Sequence, residues 1–240
     1  MYSRKIAKNY ERDGYFIARG LLRDEECEML KTEALRLMSE HARQGATVYV
    51  GAAAQSAGFR ALADDPRIVK ILREIMPCGI AFMSDKIVFK SGMQRFATPW
   101  HIDAFYWKNT RLKLSVWIPL DDATVDNGTL MVVRGSHHRT WQPVKKRGAN
   151  QNGPGDEFEQ QIEQRVGWLS VDEVVCEIPR GSAVFFSDHL VHASCPSTSG
   201  RDRYAIISTY HAPGHEPFDE QFPARHDIVP AGEAPDMAAV

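Results

Sequence analysis

The sequence predicts a mainly β fold of the sandwich or jelly-roll kind, braced along one side by helices. Three observations lead there. From Ile80 onward, short β-prone runs recur between Gly, Pro, Asn and Ser turns. Within them Leu112, Leu114, Val116 and Ile118 alternate with Lys113, Ser115 and Trp117, which gives that strand one strongly apolar face. Before Ile80 the apolar period is helical, and helices followed by strands suggest an α+β order in which the helices pack on an antiparallel sheet.

In chain order, Asn9 to Leu22 holds the apolar run Tyr15-Phe16-Ile17 and then a Gly-terminated turn. Asp24 can cap the next segment, where Cys27, Leu30, Ala34, Leu35 and Met38 fall near one face at helical spacing. His41 to Ala57 is Gly- and Ala-rich without a firm period and reads as loop. Asp65-Pro66 opens a second helix carrying Ile68, Val69, Ile71, Leu72 and Ile75, and Pro77 stops it. Strands are expected over Lys86 to Lys90, Leu112 to Ile118, Leu130 to Val133, Val174 to Ile178, Ala183 to Phe186 and Tyr204 to Tyr210. Pro143 to Gly167 is polar, with the turn-rich run NQNGPGD, and is a candidate lid. Past His211 the Pro, Gly and acidic content rises, and Val229 to Val240 reads as a loosely held tail.

A chain of 240 residues can bury a substantial core. Its formal charge is -2 with basic and acidic residues interspersed, so it carries no long-range field for nucleic acid. The cationic start lacks a following apolar run, and no stretch approaches the roughly 20 apolar residues that cross a bilayer. Cys27, Cys78, Cys176 and Cys195 show no CxxC spacing. They read as buried thiols in a reducing compartment, with the cytoplasm as the default, and not as a zinc knuckle.

The chemistry concentrates in WHIDAFYW and in SDHLVHAS. A two-residue spacing on a strand or its extension sends His101 and Asp103 to the same side. His192, 91 residues after His101, is the preferred third ligand because it follows a strand near the apolar core. Two imidazoles and one carboxylate are the ligand set of non-haem Fe(II) oxygenases and leave positions open for oxygen and a cosubstrate. His189 is the local rival to His192, whereas His137 and His138 follow a Gly-Ser turn and read as surface imidazoles.

DGYFIARGLL with its EEC-containing helix, WHID, SVWIPLDDATVDNGTLMVVRGSH and SDHLVHAS with a downstream arginine occur in that order. In that ordered set the chain resembles the phytanoyl-CoA dioxygenase family, within the wider Fe(II)/2-oxoglutarate oxygenases, across roughly residues 8 to 213. The resemblance implies a single oxygenase domain over residues 1–240 built on a double-stranded β-helix (jelly roll, cupin-like). Helices would span about 24–76, the β-helix core about 80–213, a lid 143–167 and a tail 214–240. It implies iron held by His101, Asp103 and His192, with 2-oxoglutarate and O2 as co-reactants. Arg203, eleven positions past His192, matches the arginine that clamps the distal carboxylate of 2-oxoglutarate, and a guanidinium suits that bidentate task. Arg201 has the same alternation and is the runner-up. Ser194 matches a cosubstrate-holding position, and Trp117 an aromatic lining position. Asn127-Gly128 reads as a turn.

The expected reaction is oxidation, foremost hydroxylation, of a C–H bond with release of succinate and CO2. Related halogenases resemble this chain but have Gly or Ala where Asp103 stands. The expected partner is a small or medium-sized metabolite; neither nucleic acid nor a membrane is expected, and the oligomeric state is left open. Trp100, Phe105, Tyr106 and Trp107 bring aromatic bulk beside the ligand pair, while Lys86, Lys90, Arg95 and Lys113 are cations within reach of an anionic group. The rival classes are a metal-binding or metabolite-sensing jelly roll without catalysis, and a zinc hydrolase on the same His2Asp set.

Overall fold

The computed structural model describes residues 3–42, 45–106, 113–145, 160–162, 172–213 and 224–229. Helix α1 (Ser3–Asp13) leads into strand β1 (Tyr15–Ala18). The helix has a thin apolar stripe, Ile6 and Tyr10, which packs against the core. Helix α2 (Asp24–His41) buries Cys27, Leu30, Ala34 and Leu37. Its stripe therefore runs through Leu37, and Leu35 is exposed. Asp24 is the first helical residue and not the cap: Arg23 holds the extended cap position, and its backbone N–H donates to Glu26 at 2.8 Å.

The 41–57 stretch is more ordered than its composition suggests. It contains β2 (Val48–Val50) and α3 (Ala52–Gln55), followed by α4 (Ala57–Ala63). Both short elements depend on partners distant in sequence. β2 pairs with β3 (Ile80–Lys90), and the Asp85 carboxylate accepts the Ala53 N–H at the start of α3. Helix α5 (Pro66–Ile75) follows its sequence signals, with Asp65 accepting the Arg67 N–H and Pro66 opening the first turn.

The remaining strands are β4 (Thr98–His101), β5 (Lys113–Pro119), β6 (Leu130–Val133), β7 (Val144–Lys145), β8 (Gln160–Gln161), β9 (Glu173–Val175), β10 (Ala183–Ser187), β11 (His192–Ser194), β12 (Arg203–His211) and β13 (His226–Val229). Among the described residues, β1-β10-β5-β12-β3-β13 form one antiparallel sheet with β2 alongside β3. β4-β11-β6-β9 form the facing sheet. This is the expected jelly roll braced by helices.

Strand parity sorts the large sheet. Leu114, Val116, Ile118, Phe185, Ile206 and Tyr210 join the cluster that contains the helices, whereas Trp117, Val184, Phe186 and Ala205 turn to the opposite side with Leu130 and Val132 of the facing sheet. The strongly apolar face of β5 thus meets the helices. On its mixed face Trp117 lines the space between the sheets and Ser115 donates to Asp103.

Two expectations need correction here, and a third lies largely outside the described residues. β13 pairs with β3, and Ala224 and Val229 are buried, so the region expected as tail contributes a sheet strand; residues 230–240 lie outside the described residues. All four cysteines are free thiols, but Cys78 is exposed. Of the candidate lid, the β7–β8 ladder and Ile162 are described, and Ile162 N–H donates to the Trp100 carbonyl at 2.7 Å. Residues 146–159 and 163–171 lie outside the described residues.

Candidate metal and cosubstrate site

β11 lies between β4 and β6, and its register places His192 directly opposite His101. The antiparallel pairing brings the two ring centroids to 4.1 Å. The chain then leaves β4 and enters a 3-10 turn (Asp103–Phe105), which swings the carboxylate towards both rings. Asp103 Oδ1 is 3.8 Å from His101 Nε2 and 3.7 Å from His192 Nε2. One ligand atom from each residue lies within 4.8 Å of the others.

The hydrogen bonds around these side chains prepare them as ligands. His101 Nδ1 is 2.8 Å from the Pro99 carbonyl and His192 Nδ1 is 2.9 Å from the Leu190 carbonyl. A carbonyl only accepts, so each Nδ1 carries a proton and Nε2 is the ring atom that each histidine turns towards Asp103. Ser115 Oγ donates to Asp103 Oδ2 at 3.0 Å and leaves Oδ1 turned to the rings. Burial, reinforced by the His192 charge, pushes His101 down to about 3. Burial by itself raises Asp103, but the charges of His192, Lys86, His101 and Lys113 outweigh it and hold the carboxyl below its ordinary range. Two imidazole Nε2 atoms facing one carboxylate are a donor set that fits a divalent metal with open positions.

The same cavity, about 340 Å3, reaches from these ligands to Arg203 at the edge of β12. Arg203 is 1% exposed, donates from Nη2 to the Gly128 carbonyl at 2.7 Å, and lies 5.7 Å from the Trp117 ring centre. Its Nη1 is buried with no hydrogen-bond partner among the described residues. Lys90, equally buried, donates from Nζ to Ser194 Oγ at 2.7 Å and to the Cys195 carbonyl at 2.5 Å. Burial pushes Arg203 down to about 10, and burial followed by the Arg203 charge pushes Lys90 down to about 6. A waiting guanidinium edge beside a second buried basic group fits a carboxylate of the cosubstrate.

His101, Asp103, His192, Arg203, Ser194 and Trp117 all line this cavity. The local rivals do not: His189 pairs with Asp188 at 3.0 Å, His137 Nε2 meets the Glu11 carbonyl at 2.9 Å with its ring against His138, and exposed Arg201 faces Asp126 at 3.5 Å. Asn127-Gly128 is a turn, as expected, and its carbonyls also receive Arg203. Of the aromatic group, Tyr106 lines the cavity and donates to the Gln160 carbonyl. Trp100 is buried in another cluster, Phe105 packs against that cluster, and Trp107 lies outside the described residues. Reading the sequence missed Ser115 and the placement of Lys90. The available signal was that each belongs to the mixed face of its strand.

The phytanoyl-CoA dioxygenase sequence profile matches residues 10–205, most of the chain. The chain belongs to the phytanoyl-CoA dioxygenase family. This family member is 24% identical over 190 residues to an L-proline trans-4-hydroxylase of Streptomyces griseoviridis, covering 69% of this chain and 68% of the relative. It is 25% identical over 231 residues to an ectoine dioxygenase of Nocardia farcinica, covering 85% and 76%. In fold it is similar to EvdO2 of Micromonospora carbonacea var. aurantiaca complexed with 2-oxoglutarate, with a TM-score of 0.70, 20% identity and coverage of 89% and 94%. Family membership together with the two-histidine, one-carboxylate cluster makes the chain an Fe(II)/2-oxoglutarate-dependent dioxygenase-type enzyme that uses O2, in preference to a binding-only jelly roll or a zinc hydrolase. Among the described residues no helix is long and apolar enough to cross a membrane.

Proposed function

We propose that this family member hydroxylates a C–H bond of a small or medium-sized metabolite, with His101, Asp103 and His192 as its iron ligands. The observation that carries this reading is the convergence of those donors in the cavity that also receives Arg203 Nη1, which has no hydrogen-bond partner among the described residues. When bound there, iron and 2-oxoglutarate supply oxidative decarboxylation to succinate and CO2 coupled to oxygen insertion into the substrate.

The protein's own residues do the positioning. Leu190 and Pro99 carbonyls fix both imidazoles, and Ser115 fixes Asp103. Arg203 and Lys90 bind the distal carboxylate of the cosubstrate, Ser194 orients the Lys90 ammonium, and Trp117 walls the guanidinium. Tyr106 ties the cavity edge to β8, which supports a closing role for the 143–167 segment. The names of the relatives, which act on proline and ectoine, support a small substrate. One continuous oxygenase domain and a cytoplasmic setting for its free thiols complete the reading.

Anaerobic titration with Fe(II) and 2-oxoglutarate tests it. A weak visible charge-transfer band is expected in the wild type and is lost in His101→Ala and His192→Ala. Folded, iron-loaded wild type without the band would overturn the assignment.

A further inference from the structure

Four cations near the proposed metal site were candidates for an anion, and the structure separates them. Arg95 is exposed and bonds the Gly92 carbonyl, Lys113 lies 3.9 Å from Asp188, and Lys90 is held at Ser194 beside Arg203. Lys86 differs from all three. It lines the cavity, and among the described residues its ammonium makes no hydrogen bond or salt bridge.

Strand geometry fixes where that ammonium stands. Ser84, Lys86, Val88 and Lys90 share one face of β3 and all line the cavity, whereas Asp85 is engaged by the Ala53 N–H. Four residues of strand separate Lys86 from Lys90 by roughly 13 Å, so the two cannot serve one carboxylate. Lys90 is registered with Arg203 at the cosubstrate end. Lys86 is registered with Ile207, which is registered in turn with Trp117, one alternate position from Ser115 and its bond to Asp103. The Lys86 charge accordingly reaches His101 and Asp103.

We propose that Lys86 is the anion anchor of the substrate subsite, and that the substrate is a small monocarboxylate with an apolar body. Val48, Val50, Val88 and Ile207 make most of the wall around Lys86 apolar; its polar members are the Ser84 and Thr209 hydroxyls and Asp85, whose carboxylate is already held by the Ala53 N–H. One free ammonium with two neutral hydroxyls matches a single negative charge. A multiply phosphorylated carrier would require more cations than this wall offers. Anchoring at Lys86 holds a carboxylate at the level of the metal ligands and presents the neighbouring aliphatic C–H bonds to them. Lys86 has this role only in the oxygenase reading given above.

The test uses butyrate, pentanoate and cyclopentanecarboxylate with their primary amides as probes. Each is titrated by calorimetry into wild type, Lys86→Gln and Lys86→Arg, loaded anaerobically with Fe(II) and 2-oxoglutarate and, separately, free of iron. At least one acid should bind the wild type about tenfold or more tightly than its amide. That preference should fall to about twofold in Lys86→Gln and return in Lys86→Arg. Equal preference in wild type and Lys86→Gln overturns the assignment. So does an absence of preference in the wild type, or loss of the visible band on adding acid, which would place the acid at Arg203. Failure of the oxygenase reading looks different: the wild type then forms no band and releases no succinate, while the iron-free titration still reports on Lys86.

Discussion

Lys90 and Arg203 are direct partners across the β3–β12 ladder, and each is 1% exposed. Like charges placed opposite one another on a ladder oppose folding. Burial and then Arg203 push Lys90 down to about 6, which favours the neutral amine near pH 7.5 until an anion arrives. An incoming dicarboxylate returns the proton. Binding of 2-oxoglutarate at pH 7.5 should therefore take up more protons in the wild type than in Lys90→Met, measured by calorimetry in buffers of different ionisation enthalpy. Equal uptake in both would remove Lys90 from the site.

The two arginines of RDR should behave differently. Arg203→Ala should weaken 2-oxoglutarate binding by about 30-fold or more, because a buried charged contact is lost. Arg201→Ala removes an exposed ion pair and should stay within about twofold. The concentration dependence of the anaerobic visible band measures both, and the reverse order would move the clamp to Arg201.

Ser115 acts on iron only through Asp103. Ser115→Ala should cost about tenfold in Fe(II) affinity, as removal of an outer hydrogen bond to a metal ligand typically does. Competition with a chelator reads this directly, and unchanged affinity would show that Asp103 is oriented by other contacts.

Asp85 gives a pH signature away from the metal. Burial pushes its carboxyl up to about 6 from an ordinary 3.8. The fold therefore favours the protonated form; this contribution is complete below about pH 4 and is lost as pH rises through about 6. The shift corresponds to an order of magnitude of about 3 kcal/mol. Asp85→Asn should lack that slope, so the variant should gain stability relative to wild type between pH 4 and 7 in urea unfolding. Parallel profiles would assign the slope to another group.

Gly128 joins the turn to the cosubstrate end. Its φ is +88°, and an added Cβ would lie 2.6 Å from Lys90 Cδ and 2.9 Å from the Cys195 carbonyl. Gly128→Ala should lower stability by about 1–3 kcal/mol and weaken 2-oxoglutarate binding with it. Wild-type Tm and affinity in this variant would show that the turn relaxes freely.

Periodicity and turn chemistry were enough to read α5, most of β5, β6, β10 and β12, because their apolar repeats and caps are local. The ordered motifs made His101, Asp103, His192, Arg203, Ser194 and Trp117 legible as one set, and the structure brings all six to one cavity. Local sequence did not reveal β2, α3, β11 or β13. These are short elements completed by Val88, Asp85, His101 and Phe82 on other segments. Nor could alternation show which side of β5 faces the site: two-residue periodicity defines two faces, and only the packing of helices on the more apolar one leaves Trp117 for the cavity and Ser115 for Asp103. Tertiary structure likewise separated four similar cations into two exposed or paired residues, one proposed cosubstrate partner and one ammonium without a partner among the described residues, since a side chain's partner depends on the strand that lies opposite it.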